Sequence, residues 1–211
     1  MKDTVLTILN ECHSNCTLTA VSKTKSADII KEVYDIGIRD FGENKVQELL
    51  TKIPLLPSDI RWHMIGHLQT NKVKDIIDKV YLIHSVDSIK LANVINKEAL
   101  KKNINVNILI EINIANEESK YGFKVNELEE AVTEIRCLSN LNLLGFMCVA
   151  PYQENSEDNR VYFKKMKELK DKYKLEVLSM GMSNDYKIAL EEGSNYIRVG
   201  TLIFGERNYN K

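Results

Sequence analysis

A lysine at the tip of an apolar run is the first residue in this sequence whose chemistry needs explaining. Leu18-Thr19-Ala20-Val21-Ser22 reads as a short buried strand, Lys23 ends it, and a helical pattern opens at Ser26-Ala27-Asp28. A long cation in that place is either a solvated exit residue or a placed chemical group. Partial desolvation would pull its pKa below the reference of about 10.4, and a neutral amine is what imine chemistry with a carbonyl requires. The C-terminal quarter adds a second kind of chemistry. Gly181-Met182-Ser183-Asn184-Asp185 falls between a strand and a helix, where small residues, a hydroxyl and free helix N–H groups suit an anion. One strand later, Arg198 lies inside the apolar run Tyr196–Val199, with Gly200 and Thr201 at its tip. Two ordinary capping turns, with Ser183 as an N-cap, are the competing reading. A guanidinium in an apolar strand needs an acceptor, and an ion pair is as good an account of Arg198 as a ligand.

Other polar residues stand at strand tips. Asn44, in Phe41-Gly42-Glu43-Asn44, is a neutral donor and acceptor, while Glu43 reads as a cap for the next helix. His63 and His67 are four apart, but the segment reads as a strand broken by Gly66, which does not align two imidazoles on a metal. His63 is therefore expected to be a packed or ligand-facing ring and His67 a loop residue. Met147 and Cys148 read as core or cavity lining, and Ser119–Phe123 as a turn anchored by Phe123.

Those positions need elements to hold them. After an amphipathic first helix, strand and helix patterns alternate. Strands are expected at Thr17–Ser22, Ile38–Phe41, Ile60–Ile65, Val80–His84, Asn105–Asn113, Asn142–Val149, Leu175–Ser179 and Tyr196–Val199. Runs such as VNILIEI and LNLLGFMCVA are apolar almost throughout, as in a sheet covered on both faces. Several helical patterns end on Gly or Asn. Eight strands with helices between them predict an α/β fold, a single (β/α)8 TIM-type barrel with an extra N-terminal helix. The chain is somewhat below the usual size of about 250 residues, and an open doubly wound sheet is the alternative. The longest polar loops, NIANEESKYG and PYQENSED, directly follow strands, on the face where barrels build ligand sites.

The chain has 211 residues, 44% hydrophobic and 28% charged, with 29 basic and 30 acidic residues for a net charge of −1. That balance calls for neither nucleic acid nor an anionic membrane as partner, and points to a small molecule. No stretch reaches membrane-spanning length and the N-terminus has no signal-peptide pattern. Cys12, Cys16, Cys137 and Cys148 do not form a zinc-ligand spacing and read as reduced cytoplasmic thiols.

Taken in order, AVSKTKS, FGENKVQE, WHMIGHLQTNK, SKYGF, GFMCVAP, SMGMSNDY and RVGTLIFGER resemble the pyridoxal-phosphate homeostasis protein family (YggS/PROSC type), from Thr17 to Tyr209. The resemblance implies one barrel domain over residues 1–211, similar to the N-terminal domain of alanine racemase, with pyridoxal 5′-phosphate (PLP) at its mouth. It makes Lys23 the lysine that forms the internal aldimine, and Ser183, Gly200 and Thr201 the phosphate cradle. Arg198 then faces the pyridine nitrogen and Asn44 the phenolic oxygen. Ser26 stands where the family often has proline, so the turn after Lys23 is expected to be less rigid.

An arginine opposes protonation of the pyridine nitrogen and weakens the electron sink that carbanion chemistry uses. Racemases of the related fold tolerate such an arginine, but they need a second acid/base residue that resembles a tyrosine from an additional domain and partner subunit, for which 211 residues are expected to leave no room. The expectation is a cytoplasmic, monomeric PLP carrier in vitamin B6 homeostasis, with no catalytic residues and no metal, and with apo-PLP enzymes as candidate recipients. A weak PLP-dependent racemase-like enzyme is the first alternative. A cofactor-free class I aldolase and a regulatory interaction protein are the others.

Overall fold

Near-continuous burial builds the sheet. In β1 (Thr17–Val21) and β2 (Asp40–Glu43), and equally in β3 (Arg61–Met64), β4 (Leu82–Val86) and β5 (Val106–Ile112), almost every residue is shielded. β6 (Leu141–Cys148), β7 (Val177–Ser179) and β8 (Tyr196–Val199) continue the pattern. Strands covered on both faces need parallel neighbours with helices outside. The computed structural model, which describes residues 1–206, has this arrangement. All eight strands pair in parallel and in chain order, and β1 closes on β8 through Thr17↔Tyr196, Leu18↔Ile197, Thr19↔Arg198 and Ala20↔Val199. This is a (β/α)8 TIM-type barrel. The open-sheet alternative is excluded by that last pairing.

The helices are α1 (Lys2–Glu11), α2 (Ala27–Asp35), α3 (Val46–Lys52), α4 (Val73–Ile76), α5 (Ile89–Lys102), α6 (Leu128–Arg136), α7 (Arg160–Lys172), α8 (Tyr186–Glu191) and α9 (Thr201–Phe204). Local sequence starts and stops them. Ser88 caps α5 by accepting the Leu91 N–H at 3.3 Å, and Asn103 ends it in the left-handed region at φ 53°. Among the described residues, no helix is long and apolar enough to cross a membrane. The expected domain boundary at residue 211 and the motif ends at Arg207 and Tyr209 lie outside the described residues.

Apolar burial occurs in two places. The larger cluster lies between sheet and helices and includes Ile83, Ile108, Phe146, Phe163 and Leu178. Leu82, Leu109, Met147 and Val177 form a second cluster. Leu82 alternates with Ile83, and Met147 with Phe146, so the second cluster occupies the opposite face of the strands, inside the barrel.

Two expectations need correction. The second strand is Asp40–Glu43 rather than Ile38–Phe41, because both of its acids are buried and paired and therefore behave as interior residues. The fourth strand is likewise Leu82–Val86 rather than Val80–His84, since Ser85 and Val86 are as buried as the residues before them, and Thr201–Phe204 after β8 form a helical turn, α9.

β6 and β7 meet at Gly145, opposite Val177. A Cβ on Gly145 would sit 1.8 Å from the Val177 carbonyl oxygen, which is backbone and cannot rotate away. Gly145→Ala should therefore cost at least about 2 kcal/mol, in the range of overpacking mutations. Urea denaturation should show a lower midpoint at an unchanged m-value.

Candidate functional site

The strand C-termini surround a cavity of about 370 Å³, and Lys23, Asn44, Ser183, Arg198, Gly200 and Thr201 all line it. Six residues spread over 179 positions of chain are thus brought to one rim by barrel closure.

Each is placed by its own local structure. Lys23 occupies the turn after β1, half-buried, followed by Thr24 at φ 68°. Ser26 caps α2 by accepting the Ile29 N–H. Asn44 follows β2 directly, with the loop after β3 against its backbone. A Cβ on Gly66 would lie 2.5 Å from the Asn44 carbonyl oxygen, so only glycine allows that approach.

Ser183 Oγ accepts the N–H groups of Gly200 (3.3 Å) and Leu202 (3.4 Å), which ties the loop after β7 to the turn after β8. Its role is therefore not the N-cap. Asp185 holds that position before α8, and its Oδ1 takes the Met182 N–H at 2.7 Å. The N–H groups that converge on Ser183 come from the β8 side rather than from the helix that follows it in sequence.

Arg198 is buried in β8 and, among the described residues, has no carboxylate in ion-pair contact. Its Nη1 donates to Ser179 Oγ at 2.6 Å and its Nη2 to the Cys148 carbonyl at 2.8 Å. Burial pulls the guanidinium below its ordinary pKa. From Ser179 a hydrogen-bonded line crosses the barrel. His84 Nδ1 lies 2.9 Å from Ser179 Oγ, His84 Nε2 lies 2.9 Å from His63 Nδ1, and His63 Nε2 lies 2.9 Å from Asp40 Oδ1. Arg61 closes the far end with two bonds to Asp40.

The two ends set the proton direction. Burial raises the Asp40 carboxyl, but hydrogen bonds from His63 and Arg61 outweigh it and keep the group below its usual value. An ionised carboxylate only accepts, so His63 Nε2 carries the proton. His63 and His84 are held neutral by burial, so His63 Nδ1 accepts from His84 Nε2–H, and His84 Nδ1 accepts from the Ser179 hydroxyl. Ser179 in turn accepts from Arg198. Every donor in the line points from the mouth toward the base of the barrel.

Other side chains behave differently from their sequence reading. Glu43 caps no helix: it is buried in β2, bonded to Ser22 Oγ and Lys52 Nζ. His63 is a packed interior ring. His67 is a loop residue that bonds Asp87 and stacks on Tyr121 with ring centroids 3.9 Å apart. Phe123 anchors its turn by bridging Ile112. Among the described residues, no group of three His, Cys, Asp or Glu could hold a metal ion.

Sequence reasoning missed Lys25, which also lines the cavity and donates to the Phe204 carbonyl at 2.8 Å, holding down the last turn of α9. Its place two residues after Lys23 was the available signal. Ser179 and His84 were missed for want of any signal, since their partners lie across the barrel.

The residues present fit a phosphorylated pyridine aldehyde. Asn44 lines the cavity, its buried Oδ1 has no hydrogen-bond partner among the described residues, and its amide NH2 is a donor suited to a phenolic oxygen. The remaining donors divide into a hydroxyl-rich end at Ser183 and Thr201 and a guanidinium at Arg198, with an amine at Lys23.

A closed (β/α)8 barrel with this set of groups at its mouth defines the class of the alanine racemase N-terminal domain, whose family model matches residues 1–208. Within that class, the chain belongs to the pyridoxal phosphate homeostasis protein family. It is 47% identical over 203 residues to the pyridoxal phosphate homeostasis protein of Aquifex aeolicus, covering 92% of this chain and 89% of that one. The Escherichia coli K12 protein of the same name is 39% identical over 204 residues, covering 92% and 87%. PipY of Synechococcus elongatus PCC7942, solved with PLP bound, superposes with a TM-score of 0.88 at 31% identity over 97% of this chain and 99% of that one. An alanine racemase from Clostridium difficile 630 shares the fold, with a TM-score of 0.81 at 15% identity. Nearly all of this chain (99%) matches 57% of that one.

The interior histidines make stability depend on pH. Their folded-state pKa values are depressed, so the unfolded chain binds more protons below about 6.5 and stability is lost as pH falls through that value. The limiting slope is about 1.4 kcal/mol per pH unit for each ring. Glu111, pushed up to about 7 by burial and by Asp87, acts in the opposite sense, because the native state then holds a proton that the unfolded carboxylate has lost. The measurement is therefore a difference. Between pH 7 and 5.5, wild type should lose about 1 kcal/mol more than His84→Met in denaturant titrations. A gap that does not change with pH contradicts the neutral-histidine assignment.

Proposed function

We propose that this protein binds PLP at the barrel mouth and serves intracellular PLP homeostasis as a carrier, without robust turnover. The observation that carries the reading is the convergence of Lys23, Asn44, Ser183, Arg198, Gly200 and Thr201 on one cavity. The likeness to PipY, a protein solved with PLP bound, supports it.

When bound, PLP supplies an aldehyde that condenses reversibly with a primary amine. Lys23 offers that amine from the turn after β1. The Ser183 and Thr201 hydroxyls, with the Gly200 backbone, bind the phosphate, and Ser183 is already oriented by its two backbone donors. Asn44 takes the phenolic oxygen. Arg198 donates to the pyridine nitrogen and, as a cation, disfavours a proton there. Ser179 and the Cys148 carbonyl hold the guanidinium in place for that contact.

An arginine at that nitrogen suits holding more than catalysis. A carboxylate would keep the ring protonated and electron-withdrawing; a guanidinium opposes that state. The names of the curated relatives agree with a homeostatic role. The reading includes a monomer acting in the cytoplasm, with apo-PLP enzymes as recipients. The near-zero net charge, with no surplus for nucleic acid or anionic lipid, supports that setting.

Purified protein mixed with PLP should develop a visible absorbance band that Lys23→Ala lacks. Borohydride reduction followed by peptide mass spectrometry should put the added mass on the Lys23 peptide. Cα–deuterium exchange of added amino acids should run far below about 1 s⁻¹, the lower range of ordinary enzyme turnover. Exchange at that rate or faster would establish an enzyme in place of a carrier. Mass on a different lysine would remove Lys23 from its role.

A further inference from the structure

Behind the cavity wall lies a buried charged cluster for which the proposed function has no use. Lys52, the last residue of α3, has a side chain only 7% exposed. Its ammonium donates to Glu43 Oε1 at 2.7 Å, to Glu48 Oε1 at 2.6 Å and to the Ser22 carbonyl at 2.9 Å. Glu43 Oε1 also accepts the Ser22 hydroxyl at 2.6 Å, and Glu48 Oε1 accepts the Thr24 N–H. Burying the Glu43 carboxylate with the Lys52 ammonium, while Glu48 stays partly exposed, is costly unless the geometry returns something. A hydrophobic pair would fill the buried space as well.

The geometry indicates what is returned. The Ser22 carbonyl belongs to the peptide unit before the Lys23 Cα, and the Thr24 N–H to the peptide unit after it. Both units end on the same ion cluster. Fixing both planes fixes the Lys23 φ and ψ and therefore the direction of its Cα–Cβ bond. The turn needs an external hold, since Thr24, a β-branched residue, sits at φ 68°, where such residues are strained. Ser26 supplies no ring to stiffen it.

We infer that Lys52, together with Glu43 and Glu48, is a positioning residue that fixes the two peptide units around Lys23 and so aims its amine into the cavity. The inference rests on the PLP reading for its consequence, and on the cluster geometry alone for its existence.

Glu48→Ala is the cleanest probe, because it frees the Thr24 N–H while leaving the buried Glu43–Lys52 pair intact. In protein without PLP, hydrogen-exchange mass spectrometry should show faster exchange in the peptide containing Thr24, with exchange in β4–β6 unchanged. Unchanged exchange at Thr24 overturns the clamp. With PLP, Glu48→Ala should raise the dissociation constant by at least about tenfold, that is about 1.4 kcal/mol. In the Lys23→Ala background the same substitution should change it by less than about twofold. Equal losses in both backgrounds would mean that the cluster only supports the fold, and would overturn the inference. Lys52→Arg should retain trapping at Lys23 by borohydride, whereas Lys52→Met should lose it while the far-ultraviolet spectrum stays native; equal trapping in the two folded variants counts against the clamp. Wild type that takes up no PLP would overturn the functional reading by itself, with the exchange measurement still deciding the clamp.

Discussion

A guanidinium inside a closed ring of strands has to be given acceptors, and most of the interior of this barrel is organised by that requirement. Arg198 is buried, and the carboxylates that would ordinarily neutralise it are not in contact. Its two nearest acceptors are neutral oxygens, Ser179 Oγ and the Cys148 carbonyl. Neutral acceptors satisfy hydrogen bonds without cancelling charge. The cation is thus held in position, yet it stays available to act on whatever occupies the mouth. The hydrogen-bonded line runs on through His84 and His63 to Asp40, which pairs with Arg61 at the base. The carboxylates that act on Arg198 do so through space, from Glu111 and Asp185.

The three lysines around the site show how surroundings assign different roles to one side chain. Lys52 sits between two carboxylates and serves as a buried cation. Lys25 donates to carbonyls at the end of α9 and acts as a tether. Lys23 stands at the cavity wall, on the turn those neighbours hold. Spacing alone does not separate Lys23 from Lys25, which are two residues apart on the same turn. What separates them is where α3 and α9 pack.

Much of the architecture was legible because it is written locally. Apolar runs of the right length marked the strands of the sheet, and amphipathic spacing with terminal Gly or Asn marked the helices between them. The six cavity residues were legible because strand tips in a barrel share one rim, and because seven short motifs stood in the right order. What was hidden depends on contacts across the barrel. Glu43 was left outside the second strand because its buried partners lie far away in sequence, and the strand was misplaced by two residues for that reason. Glu43 read as a helix cap because its nearest sequence neighbour is a helix. Its true partners, Ser22 and Lys52, are 21 and 9 positions away. Ser179 and His84 carry no local signal at all, since an ordinary strand accommodates either one as a packed polar residue.

The same interior bears on why a fold shared with racemases is better suited here to retention. Turnover at a carbon next to an amine needs a site that accepts negative charge in the ring and then moves protons at the substrate. The hydrogen-bond line under Arg198 works against the first requirement. Each donor in it points away from the mouth, and its far end is an ionised Asp40 held by Arg61, so it has no spare proton to pass upward without first protonating a buried, neutral histidine. Burial makes that step unfavourable. A site built in this way can orient an aromatic ring and keep its nitrogen bare, and it resists the protonation that would turn the ring into a strong electron sink. On the proposed reading, retention would rest on the direction of the donors as well as on Arg198 at the nitrogen.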